Sequence, residues 1–195
     1  KKIYKEFFPE VKQMILDDND LVACICEGPT EEWILDILLR ENKLFFSREN
    51  LLDDKIFTGS KYRNPDNFIQ QYLGMDYGDS KIVVLVIQDS HNKSYAIKAP
   101  FSNKVKGPYL VITAPEIEML MVHSLNLYDA FQKVKSNKKP SEFVAEQLKM
   151  KVRNIKKEQF INDFFATYSL TDAIKKHSQK CPKVKREILF FDLLT

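Results

Sequence analysis

The 195-residue sequence has no long apolar run, so nothing in it reads as a transmembrane helix. Its start carries no signal-peptide pattern, and it opens on Lys1-Lys2 without methionine, which points to a trimmed or processed N-terminus. Cysteine is scarce. Of the three present, Cys24 and Cys26 share one apolar stretch, which makes no disulfide framework and suits a reducing, cytoplasmic setting. Internal repeats and low-complexity tracts are missing, which argues against repeat architectures. A composition of 44% hydrophobic and 29% charged residues is that of an ordinary globular chain, long enough for one domain with a substantial core.

Net charge is only +3, but it is unevenly spread. Residues 1–120 carry 15 basic against 19 acidic side chains, and residues 121–195 carry 15 against 8. An acidic half followed by a basic half fits a nucleic-acid enzyme that needs both a cation and phosphate contacts. A solvated, lysine-rich helical surface is the alternative.

The chain is organised around residues 21–35. The run 21–26 is apolar without alternation, as in a strand covered on both faces. Gly28 permits a tight turn, and Pro29 suits the first helical position, where its missing N–H would have no partner. Glu31 and Glu32 then occupy the first turn, favoured there by the helix dipole. Trp33, Ile34, Ile37 and Leu38 follow at helical spacing and form the stripe that packs on a sheet. Glu27 therefore stands at the carboxyl end of a strand, where open α/β sheets keep their crevices.

A lead-in helix is predicted within residues 3–19, a short strand at 55–57, and a helix opening at Asn64-Pro65-Asp66. The strongest strand, 81–88, ends at Asp89-Ser90-His91; a fourth strand, 109–112, leads through Pro115 into a helix bearing Glu116 and Glu118. The remainder alternates helical patterns with lysine-rich joints. This order requires an α/β fold with a mostly parallel sheet flanked by helices. The expected organisation is a lead-in helix over 1–20, an α/β domain over 21–124, and a basic helical region over 125–195 packed on it.

Three strand ends thus deliver acids: Glu27 with Glu31, then Asp89, then Glu116 with Glu118. Gathered in one crevice, such carboxylates repel unless a cation holds them, and hard oxygen ligands suit Mg²⁺ or Mn²⁺. Taken singly, each has a plainer role: Glu31, Glu116 and Glu118 as first-turn charges, Asp89 as a cap or turn former. Cys24 and Cys26 alternate onto one side of a buried strand and read as inert core residues. His91 reads as a ligand, a proton shuttle or a loop residue, His123 as a packed or surface residue, and His177 as a surface residue. Lys151, Arg153, Lys156 and Lys157 form a basic run able to grip nucleic-acid phosphates, or simply a solvated face.

Cys26-Glu27-Gly28-Pro29-Thr30-Glu31 resembles the Glu-Gly-x-Thr/Ser-Glu motif that opens the Toprim (topoisomerase–primase) domain of overcoming-lysogenization-defect nucleases and RloB-like phage-defence proteins. The segment Val86 to His91 occupies the place of their Asp-x-Asp motif, and Pro115 to His123 is similar to the P-x-F-E-x-W-L-L-x-H segment of the RloB-like branch. The resemblance covers roughly residues 20–124. It implies a Toprim-like sheet and a metal-dependent nuclease or nicking subunit that acts on nucleic acid, DNA before RNA, in prokaryotic anti-phage defence. An ATPase or other defence-system protein would be its partner. Glu27 would be the general acid/base or a metal ligand, with Glu31 and Asp89 holding Mg²⁺ or Mn²⁺ and Glu118 close by. His91 stands where the motif has its second aspartate, and imidazole suits Mn²⁺ better than Mg²⁺. The competing readings are a degenerate Toprim-like module that binds nucleic acid or a protein, and a hydrolase of nucleotides or RNA.

Overall fold

The computed structural model describes residues 15–89, 94–114, 116–180 and 188–195. Its centre is strand β1 (Leu21–Cys26), followed by helix α1 (Pro29–Arg40) and the short strand β2 (Phe57–Thr58). Helices α2 (Ser60–Arg63) and α3 (Pro65–Phe68) come next, with a wide helical turn over Ile69–Leu73. Strands β3 (Ile82–Gln88) and β4 (Val105–Ile112) complete the middle of the chain. The C-terminal part holds α4 (Met119–Ser124), α5 (Tyr128–Gln132), α6 (Pro140–Gln147), α7 (Val152–Ile155), α8 (Glu158–Thr167) and α9 (Leu170–Ser178), then strand β5 (Ile188–Leu189). The five strands form one sheet in the order β2-β1-β3-β4-β5, every neighbouring pair parallel. The α/β fold with a parallel sheet flanked by helices is thus present.

Burial on both faces explains why β1 and β3 read as unbroken apolar runs. Val22, Cys24 and Cys26 face one core with Val83, Leu85 and Ile87, beneath α1 and the C-terminal helices. Ala23 and Ile25 face the other with Val84 and Val86, covered by Phe57, Phe68 and Tyr72. All seven residues of β3 are buried. Each large aliphatic side chain among them contributes about 1.5–3 kcal/mol relative to exposure. Trp33 is half-buried against the first core, as the stripe on α1 predicts.

Strand β4 begins four residues earlier than its apolar run suggests. Val83 pairs with Lys106 but Leu85 pairs with Tyr109, so β4 carries one extra residue at a bulge. Gly107 makes the bulge feasible: its φ is +94°, and a Cβ there would stand 2.6 Å from the Tyr109 nitrogen and 3.0 Å from the Val84 oxygen.

At the amino edge of the sheet, the buried Asp20 accepts from the Lys81 N–H (3.1 Å) and pairs with Lys106. Glu27 and Asp89 stand at the opposite, carboxyl edge.

Residues 125–195 depart from the purely helical expectation at their end. β5 adds to the sheet beside β4, and the following residues return to the segment after α1, where Phe45 N–H donates to Leu193 O and Thr195 N–H to Lys43 O (both 2.9 Å). A two-residue strand carries no periodicity, so this closure has no sequence signature. The lead-in helix expected within residues 3–19 lies largely outside the described residues; Ile15 is buried in the first core.

Candidate functional site

The site begins with register. Cys26 is opposite Ile87 in the parallel pair β1–β3, so the next residues of both strands leave the sheet side by side. Glu27 N–H donates to Ile87 O (3.0 Å), and Asp89 N–H donates to Glu27 Oε2 (3.3 Å). Glu31 lies one turn into α1 and folds back over the β1–α1 turn: its Oε2 is 3.1 Å from where a Cβ on residue 28 would stand. Glycine at 28 therefore leaves room for the Glu31 carboxyl. Glu118, immediately before α4, is buried at 3% exposure and enters from the β4 side.

These side chains line a cleft of about 240 Å³ with Glu116 and Lys156. Glu116 is already committed, because its Oε2 accepts from the Ser141 N–H (3.1 Å) at the start of α6. Glu118 Oε1 lies 3.1 Å from Lys156 Nζ. That contact is an ion pair without hydrogen-bond alignment, since the same oxygen has no hydrogen-bond partner among the described residues. Arg63, on α2, stands 3.7 Å from Glu27 Oε1.

Among the described residues, carboxylates outnumber cations in this cleft, and Glu31 feels both that and its own burial. Burial, then the charges of Glu118, Glu27 and Asp89, push its carboxyl up to about 7, against an opposing bond to its own backbone. Among the described residues, no group of three or more His, Cys, Asp or Glu is placed so as to hold a metal ion. Carboxylate oxygens are the ligands that a hard divalent cation takes, so the candidate ligands here are these acids.

Of the residues singled out from sequence, Glu27, Glu31, Asp89 and Glu118 come together at this edge. His91 lies outside the described residues. The basic run divides: Lys156 turns into the acidic cleft, whereas Lys151, Arg153 and Lys157 are exposed and do not line it. Sequence reasoning missed Arg63. The available signal was its place just after β2, whose end lies at the same edge of the sheet. Cys24 and Cys26 are fully buried, and burial pushes both thiols well above their ordinary range, so neither serves as a nucleophile.

His177 corrects the surface assignment. It is half-buried, its Nδ1 3.1 Å from His123 Nε2 and its Nε2 3.3 Å from Ala114 O. A carbonyl can only accept, so His177 carries a proton on Nε2; with both rings neutral, its Nδ1 accepts a hydrogen bond from His123 Nε2–H. His123 is buried and stacked on Tyr128, with ring centroids 5.0 Å apart. Burial first, then the charges of His177, Lys176 and Lys180, bring His123 down to about 4, and burial also lowers His177.

A folded-state pKa below the unfolded one gives stability that is present above about pH 6.5 and lost as pH falls towards 4. Glu31 titrates in the opposite sense over part of this range, so the comparison must be made between variants. The wild-type protein should lose at most about 3 kcal/mol more than His123→Gln between pH 7 and pH 4.5, read by urea denaturation. Superimposable profiles would show that His123 is not held neutral by the fold.

Compared with protein-family models, curated proteins and solved structures, the chain matches none.

Proposed function

We propose that the cleft at the carboxyl edge binds a divalent cation, Mg²⁺ or Mn²⁺, and hydrolyses nucleic-acid phosphodiesters. The observation that carries this reading is the convergence of Glu27, Asp89, Glu31 and Glu118 on one cleft where Glu31 is pushed up to about 7. Four acids brought so close oppose folding unless something else needs them there. Glu27, Glu31, Asp89 and Glu118 would hold the cation, which, when bound, polarises a phosphoryl oxygen and lowers the pKa of water.

The remaining roles belong to side chains of the chain itself. The Asp89 N–H and Arg63 orient the Glu27 carboxyl from two sides, which suits it to accept a proton from an attacking water. Lys156 and Arg63 supply positive charge on either flank for the non-bridging oxygens of the phosphate. The likeness of residues 26–31 to the Toprim motif supports the same chemistry and a place in anti-phage defence, with DNA as the substrate and an ATPase or other defence protein as the partner.

A second reading has its own observation: Lys156 already sits against Glu118 and could replace a metal in neutralising the cleft. The protein would then be a degenerate module that binds nucleic acid without cutting it. The deciding experiment combines calorimetry with Mg²⁺ and Mn²⁺ and cleavage assays on plasmid and labelled oligonucleotides. Micromolar to millimolar metal binding with cleavage is expected, stronger with Mn²⁺ because imidazole at His91 follows Asp89 by two residues in the sequence. No heat of binding and no cleavage with either metal would leave the binding module as the function.

A further inference from the structure

A second, larger cavity of about 840 Å³ adjoins the acidic cleft and shares Asp89 and Glu116 with it as common walls. Its far side is formed by the turn between α5 and α6, and by α9 and the residues just after it. The turn is held by its own backbone: Asn137 N–H and Lys138 N–H both donate to Val134 O, at 2.9 and 3.0 Å. Its lysines are thus presented from a fixed frame.

Asp89 and Glu116 are the walls the cavity shares with the cleft, whereas Lys135, Lys138, Lys139, Lys180 and Glu142 line the cavity alone. Lys138 is paired with Glu146. Glu142 accepts from the Lys139 N–H (3.0 Å), and Glu116 from the Ser141 N–H, so both acids are already turned to backbone donors. Lys135 and Lys139 are exposed and enter no ion pair among the described residues, and Lys180 rests 5.3 Å over the Tyr128 ring. Three ammonium groups therefore face a concave space without an ion-pair partner among the described residues.

We infer that this cavity is a strand-binding groove that holds phosphates of a single-stranded nucleic acid next to the one seated in the acidic cleft. The inference rests on the proposed hydrolase reading for the identity of the substrate. A volume of about 840 Å³ lies in the range of small-ligand sites, about 300–1,000 Å³, which suits a few nucleotides of a flexible strand better than a rigid double helix. The composition also fixes how the strand is recognised. Tyr128 is stacked on His123 and has the Lys180 ammonium 5.3 Å from its ring centroid, so its ring is already engaged. Recognition is through phosphates, independent of base sequence and steeply dependent on salt.

The test uses fluorescence anisotropy with a labelled oligothymidylate of about twelve nucleotides and a duplex of equal length, in EDTA so that nothing is cut. The single strand should bind more tightly than the duplex. Lys135→Ala/Lys139→Ala/Lys180→Ala should weaken single-strand binding about tenfold or more and reduce the salt slope by about 2, near 0.7 for each phosphate no longer neutralised. Lys151→Ala/Arg153→Ala/Lys157→Ala, on the surface outside the groove, should bind as wild type does.

Equal binding by the groove variant, tighter binding of the duplex, or weakening confined to the Lys151 variant would each overturn the groove. Calorimetric Mn²⁺ titration of the groove variant separates the two proposals. Unchanged metal binding with abolished strand binding supports the groove as a site distinct from the acidic cleft. Lysine-dependent strand binding without cleavage in either metal keeps the groove and removes the hydrolase.

Discussion

Glu27→Gln is expected to reduce metal-supported cleavage by about a hundredfold to ten-thousandfold, the range for losing a positioned acid/base group. The change is nearly isosteric. The glutamine amide oxygen can still accept from the Asp89 N–H now 3.3 Å from Glu27 Oε2, so the junction of β1 and β3 keeps its hydrogen bond. What disappears is one negative charge and the ability to take a proton. Thermal denaturation should therefore change little while initial rates collapse. A variant that cuts at the wild-type rate would show that the chemistry lies elsewhere. One that unfolds would show Glu27 to be structural, and Glu27→Asp, which keeps the charge on a shorter stem, would then report on the site.

Glu31→Gln is expected to act in the opposite direction on stability. The Glu31 carboxyl is pushed up to about 7 in the folded protein, above the ordinary value of 4.5. A raised carboxyl pKa means that the folded state favours the protonated form. The penalty is absent below about pH 4.5, grows as pH rises, and is complete above about 7. Replacing the group with a neutral amide removes it. At pH 8 without divalent ions, Glu31→Gln should be more stable than wild type by at most about 3 kcal/mol, or roughly 6–12 °C in Tm for a chain of this size. Below about pH 4.5 the two should converge.

A cation held by the cleft reverses this order. Mn²⁺ should raise the wild-type Tm at pH 8 by binding the folded state alone, and should raise that of Glu31→Gln far less. A destabilised Glu31→Gln at pH 8 would mean that the carboxylate is held by favourable contacts and that no electrostatic deficit exists. The two variants thus probe different properties of one cleft, since Glu27 is judged by rate and Glu31 by stability and its response to metal.

The local sequence determined the parts of this protein that repeat a pattern. Unbroken apolar runs announced β1 and β3 as doubly covered strands, and Gly28-Pro29 announced where α1 begins. Because parallel strands all end at one edge, acids that follow such runs were legible as candidates for a shared crevice, and Glu27 and Asp89 do leave adjacent strands there. Tertiary structure alone decided what lies across that edge. Arg63 approaches Glu27 from a helix after β2, and Lys156 reaches Glu118 from 38 positions along the chain. His177 sits in a basic segment that reads as surface, and only the packing of α9 brings it against His123, 54 positions away. β5 is two residues long and joins the sheet only because β4 offers it an edge. Periodicity reports the environment of a segment's own faces. The direction of a long charged side chain, and the partner of a two-residue strand, are set by whatever packs opposite, so only the folded chain fixes them.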